Sequence, residues 1–115
     1  MTLEKIKDLV QFECNVDFSK KTRLRRYVEA KGLYCELATR YTDLSLTEIG
    51  EVIGIDHSTI VHYRKKEFYA GYSDYTYFEH RKRLLKLMEL DRAKQKGNTE
   101  MVNLLKEQLM EMITA

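Results

Sequence analysis

The feature that most constrains this chain is what it lacks: across 115 residues there is no proline, and there are only 5 glycines. Proline costs an α-helix about 3 kcal/mol and glycine about 1, so almost nothing here interrupts helical backbone. The chain is expected to be all-α. Hydrophobic residues make up 43% of it and charged residues 33%, enough to build one core and keep its outside hydrated. No apolar run approaches the roughly 20 residues that a membrane span requires, and no N-terminal segment has signal-peptide character. A cytoplasmic protein is therefore expected. The two cysteines, Cys14 and Cys35, lack CxxC spacing and are expected to be reduced, buried thiols.

Apolar periodicity divides the chain into helices. Leu3, Ile6, Leu9, Val10 and Phe12 give a first amphipathic helix ending near Asn15–Asp17. A second, over about residues 23–41, carries Tyr27, Leu33, Tyr34, Leu37, Ala38 and Tyr41 at near-helical spacing. Ser45 and Glu48 form a capping box that starts a short helix at Leu46, and Gly54 ends it. Asp56 then serves as N-cap for a further helix with Ile60, Val61 and Tyr63. Two short helices joined by a glycine-containing turn, the second with a polar start, make a helix-turn-helix pattern. In such units the start of the second helix faces the major groove of DNA.

Charge is concentrated rather than abundant, since the net value is only +2. Lys20, Lys21, Arg23, Arg25 and Arg26 fall within KKTRLRR, with no acid among them. This cluster lies at the start of the second helix, where the helix dipole prefers anions. Cations placed against local stability point to a polyanionic partner.

Past Lys66 the character changes, with Phe68, Tyr69, Tyr72, Tyr75, Tyr77 and Phe78 crowded together. These aromatics are expected in the core rather than stacked on single-stranded bases. Ser73 can cap a long helix that stops at Gly97, and Asn98 or Thr99 can cap a last one with Val102, Leu105, Leu109 and Met112 on one stripe. Leu84, Leu87 and Met88 provide the facing stripe, so the C-terminal part is expected to be a helical hairpin. Met101, Leu104, Met110 and Ile113 leave a second apolar face, and a homodimer through the last helix is expected from it.

Taken together, residues 45–50 (SLTEIG) and 56–62 (DHSTIVH), with KKTRLRR upstream at the matching distance, resemble the C-terminal DNA-binding domain of the bacterial replication initiator DnaA. That domain is a member of the Trp-repressor-like helix-turn-helix group. Residues 1–70 are expected as the reader domain; the resemblance is silent on the C-terminal third, where the apolar stripes lead to 71–115 being expected as a helical extension for packing or oligomerisation. The resemblance implies double-stranded DNA as partner, with Arg23 and Arg25 reaching bases through the minor groove and Asp56, His57 and Ser58 reading them in the major groove. Phosphate contacts are implied for Lys31, Ser45 and Thr59, and are expected as well of the cations Lys20, Lys21, Arg64 and Lys65. The chemistry is consistent, because Asp accepts from cytosine N4 and Arg gains from the strong negative potential of a narrow A·T groove. The departures fall mainly on phosphate-side positions: Ile55 and Thr39 replace basic residues, Glu29 reverses a charge, and Thr47 replaces a proline.

No GxxxxGK[ST] stretch occurs in these residues, so no nucleotide is expected as a ligand. His57 and His62 are five apart and do not share a helical face, so no metal or other cofactor is expected. Glu48 and Asp56 have capping roles and no nucleophile accompanies them, so the protein is not expected to be an enzyme and has no catalytic residues to name. The expected function is site-specific duplex recognition, as a regulator or replication accessory. Two alternatives remain from the sequence: a protein-interaction module derived from a DnaA-like domain, and the DNA-targeting subunit of a recombinase-like system.

Overall fold

The computed structural model describes residues 2–63 and 75–114. Within them the chain is all-α: α1 (Leu3–Cys14), α2 (Arg25–Tyr41), α3 (Leu46–Ile53), α4 (His57–Tyr63), α5 (Tyr75–Gln95) and α6 (Thr99–Thr114). Arg64, Lys65, the aromatic positions 68–72, the Ser73 cap and the boundary between residues 70 and 71 lie outside the described residues.

Each helix end has a local cause. Thr2 caps α1 by accepting from the Lys5 N–H, and Asn15 ends it in the left-handed region at φ 53°. Leu3, Ile6, Val10 and Cys14 form the buried stripe of α1. Phe12, expected on that stripe, is instead 84% exposed. Two positions from both Val10 and Cys14, it sits about 200° around the helix from each, on the opposite face.

The central helix is α2, which packs against α1, α3, α4 and α5. It buries Tyr27, Ala30, Leu33, Tyr34, Cys35, Leu37 and Ala38, a stripe of the width a core-facing helix needs. The buried Tyr34 hydroxyl donates to the Ile49 carbonyl at 2.8 Å, which ties α3 to this stripe. Both cysteines are free and buried.

The capping box at α3 is complete: the Glu48 N–H donates to Ser45 Oγ at 3.2 Å, and the Ser45 N–H donates to Glu48 Oε1 at 3.4 Å. Gly54 closes the helix at φ 72°, a conformation that other residues adopt only with strain. Gly50 serves a different purpose, close approach. A Cβ there would lie 2.4 Å from the Ile55 carbonyl oxygen and 2.9 Å from Ile60 Cδ1. The turn between α3 and α4 is therefore folded directly onto the α3 backbone.

The C-terminal helices form the expected hairpin. Asn98 Oδ1 accepts from the Met101 N–H at 3.1 Å, so Asn98 rather than Thr99 caps α6. Tyr77, Leu84 and Met88 of α5 join the same core as α1–α4. Around that seam Glu13 meets Arg83 at 2.8 Å and His80 at 3.3 Å, Glu36 meets Arg81 at 3.0 Å, and Lys5 pairs with Asp91. Among the described elements α6 packs on α5 alone. Leu105 of α6 is buried, whereas Met101, Leu104 and Met110 are 43%, 48% and 60% exposed.

Candidate nucleic-acid interface

The second helix of the helix-turn-helix has two distinct faces. Ile60 and Tyr63 point into the core, while His57, Ser58, Val61 and His62 are exposed. Since 57 and 61, and 58 and 62, are each one turn apart, these four form a single outward strip. Val61 is the member that sequence reasoning missed, having been grouped with the apolar positions of the core. The signal was present, because a helix that buries 60 and 63 turns 61 outward. An exposed valine beside His57 supplies an apolar contact of the kind that reads a thymine methyl.

Asp56 caps α4, as expected, and does so with one oxygen. Its Oδ1 accepts from the Thr59 N–H at 3.1 Å and from the Ser58 hydroxyl. Those bonds, the Ser58 side chain first and the Thr59 N–H next, hold the Asp56 carboxyl below the ordinary carboxylate range. At neutral pH it is an acceptor only. With Oδ1 committed to the helix, Oδ2 takes no hydrogen bond among the described residues, and a carboxylate oxygen of this kind can accept from a cytosine N4 donor. Ser58 has its proton directed to Asp56, so it presents acceptor lone pairs.

The backbone leading into α2 carries the cations. Arg23 is exposed, and among the described residues no ion pair holds it. Arg25 differs, because its Nε donates to Glu29 Oε1 at 3.0 Å. Arg26 lies over the Tyr27 ring at 5.4 Å. Between the first two stands Leu24, 59% exposed and occupying the N-cap of α2 without a side-chain bond to the helix. A Ser, Thr, Asp or Asn there would contribute about 1 kcal/mol, so the helix starts at some cost to its own stability.

Three of the expected phosphate-contact residues are brought together. Lys20, Lys21 and Lys31 line a cleft of about 510 Å³ with Lys7 of α1, together with Val52 and Ile53 at the end of α3 and Gly54 of the helix-turn-helix turn. Asp17 is the acid in that lining, and its Oδ1 is occupied by the N–H and hydroxyl of Ser19. Lys7 had no part in the sequence reading, since only tertiary structure carries α1 to the basic loop. Ser45 stands apart from this cleft, with its hydroxyl engaged by Glu48, and Thr59 is half-buried beside the Asp56 cap. Arg64 and Lys65 lie outside the described residues. No group of His, Cys, Asp and Glu able to hold a metal ion occurs among the described residues.

The residues build a helix-turn-helix with an exposed strip on its second helix and the lysines of a basic loop beside its turn. Residues 3–66 match the family described as the bacterial dnaA protein helix-turn-helix. The chain belongs to that family. The DnaA match covers α1 to α4 and the basic loop, and it points to DNA as the ligand of this module. The hairpin α5–α6 lies beyond it. No curated protein and no solved structure gives a match to the chain. Among the described residues, no helix is long and apolar enough to cross a membrane.

Proposed function

We propose that this protein is a site-specific double-stranded DNA-binding protein, reading the major groove with α4 and the minor groove with the basic loop. The observation that carries this is the outward strip of α4. His57, Ser58, Val61 and the free Asp56 oxygen are offered from a helix fixed on its other face by Ile60 and Tyr63. The Lys7, Lys20, Lys21 and Lys31 cleft supports phosphate contacts beside the turn, which give affinity without sequence preference. Arg23, with no ion pair among the described residues, is the better suited of the two arginines to the minor groove.

Residues 1–70 act in this reading as the reader and 71–115 as its extension, with α6 as the contact between two copies. Dimeric helix-turn-helix proteins place two recognition helices about one turn of DNA apart, and the exposed Met101, Leu104 and Met110 offer the surface for it. One observation favours a second reading, a protein-interaction module: Glu29 neutralises part of the basic loop by pairing with Arg25. Binding-site selection with the full chain on random duplexes separates the two. Site-specific recognition enriches one motif; a module without DNA binding enriches none.

A further inference from the structure

The residue in the basic loop that electrostatics leaves unexplained is Leu24. Its side chain is 59% exposed, with charged neighbours Arg23 and Arg25 on either side. Its backbone is held from both directions. The Leu24 N–H donates to Thr22 Oγ1 at 3.2 Å, and the Leu24 carbonyl accepts from the N–H groups of Tyr27 and Val28 at 3.0 and 3.2 Å. An isobutyl group is thus presented on a fixed backbone, at the one position of α2 where a small polar residue would stabilise the helix. Scattered exposed leucines are ordinary. This one is set within the densest run of cations in the chain, so the surface that approaches it is a polyanion.

We propose that Leu24 is an apolar wedge that enters the minor groove between Arg23 and Arg25 and partly unstacks one base-pair step. Proteins that bind the minor groove use leucine and similar side chains in this way, kinking the duplex toward the major groove by about 20–90°. Arg23 and Arg25 lie along the groove on either side while the leucine side chain meets the step between them. Such a wedge favours pyrimidine–purine steps such as TA, which unstack most readily. This proposal rests on the reading of the basic loop as a minor-groove element and adds deformation of the duplex to it.

The test uses the full chain and the duplex it enriches from a random 30-base-pair pool, with 2-aminopurine placed in turn at each A·T-rich step and a dye pair at the ends. The parent is expected to raise 2-aminopurine fluorescence at one step and to shorten the end-to-end distance. Leu24→Met, which keeps a long apolar side chain, is expected to retain both signals. Leu24→Ser is expected to lose both while its melting temperature rises by about 4 °C, because serine caps α2. Binding by the parent with no unstacking or bend, or a Leu24→Ser protein that distorts the duplex as the parent does, would overturn the wedge and leave DNA binding standing. Absence of salt-dependent binding by the parent to any duplex would overturn the minor-groove reading itself.

Discussion

Arg25 Nε donates to Glu29 Oε1 at 3.0 Å, one turn along α2, and the Glu29 side chain is only 11% exposed. The pair divides two arginines that look equivalent in the sequence. Arg23 is available to DNA as it stands, whereas Arg25 has to leave a carboxylate that is itself poorly hydrated.

Arg23→Ala is therefore expected to weaken duplex binding more than Arg25→Ala. It should also flatten the slope of log K against log salt by about one unit. Glu29→Gln keeps the shape of the pair and removes its negative charge, so it is expected to tighten binding at low salt. As an i, i+4 pair with a half-exposed arginine it contributes only about 0.3–0.5 kcal/mol, so the fold should survive. Titrations at three salt concentrations check all three variants; equal losses for the two arginines would contradict the division.

Gly50 is a position where the helix-turn-helix has no room for a side chain. With a Cβ placed 2.4 Å from the Ile55 carbonyl oxygen, Gly50→Ala has to push the turn away from α3. Overpacking of this kind costs about 1–3 kcal/mol. A drop in melting temperature, read by circular dichroism, together with loss of specific DNA binding, is the expected outcome. Unaltered melting would mean that the turn is looser than described.

The buried thiols predict an alkaline limit. Desolvation pushes Cys14 and Cys35 from 9.0 to about 12, with the Glu13 and Glu29 carboxylates adding to the shift at Cys14. Burial raises the Tyr34 phenol as well. Folding therefore favours the protonated forms. Their contribution is complete below the unfolded thiol value of 9.0 and is lost as pH rises from there toward about 12. Urea unfolding followed from neutral pH to pH 10 should show a declining midpoint above pH 9, and both thiols should resist alkylation until the protein unfolds.

The last helix should set the oligomeric state. Leu105 lies outside the main core that α5 shares with α1–α4, so truncation after Lys96 is expected to leave that core folded. Light scattering should give twice the chain mass for the full protein and a monomer for the truncated one. Met110→Lys should separate the dimer without truncation. A full chain that stays monomeric at tens of micromolar, with and without DNA, would refute this.

Local features of the fold were legible in the sequence because their causes are local. The Ser45–Glu48 box, the Gly54 stop and the Asp56 cap each involve residues within a few positions of one another. Phe12 and Val61 were misjudged for the opposite reason. Both are apolar residues whose placement depends on which neighbours share their face, and a count of apolar positions does not register that. The Arg25–Glu29 pair could have been read from its i, i+4 spacing. Lys7 could not have been, since its place beside Lys20, Lys21 and Lys31 depends on how α1 packs against α2 and α3. The hairpin was visible, but Leu84 and Met88, expected to face the last helix, join the core with α1–α4 instead, and its ion pairs to Glu13 and Glu36 join residues too distant in sequence to be foreseen.

The most direct test of the account is the ratio of affinities for the selected duplex and a scrambled one, measured by anisotropy for the parent, His57→Ala and Asp56→Asn. Asparagine caps a helix about as well as aspartate, so Asp56→Asn tests recognition rather than folding. A good base contact is worth about 1–3 kcal/mol of discrimination, while non-specific affinity depends on phosphates. Each variant is expected to lose most of its preference for the selected duplex and to bind the scrambled one as the parent does. Variants that keep the parent's preference would contradict base reading by α4.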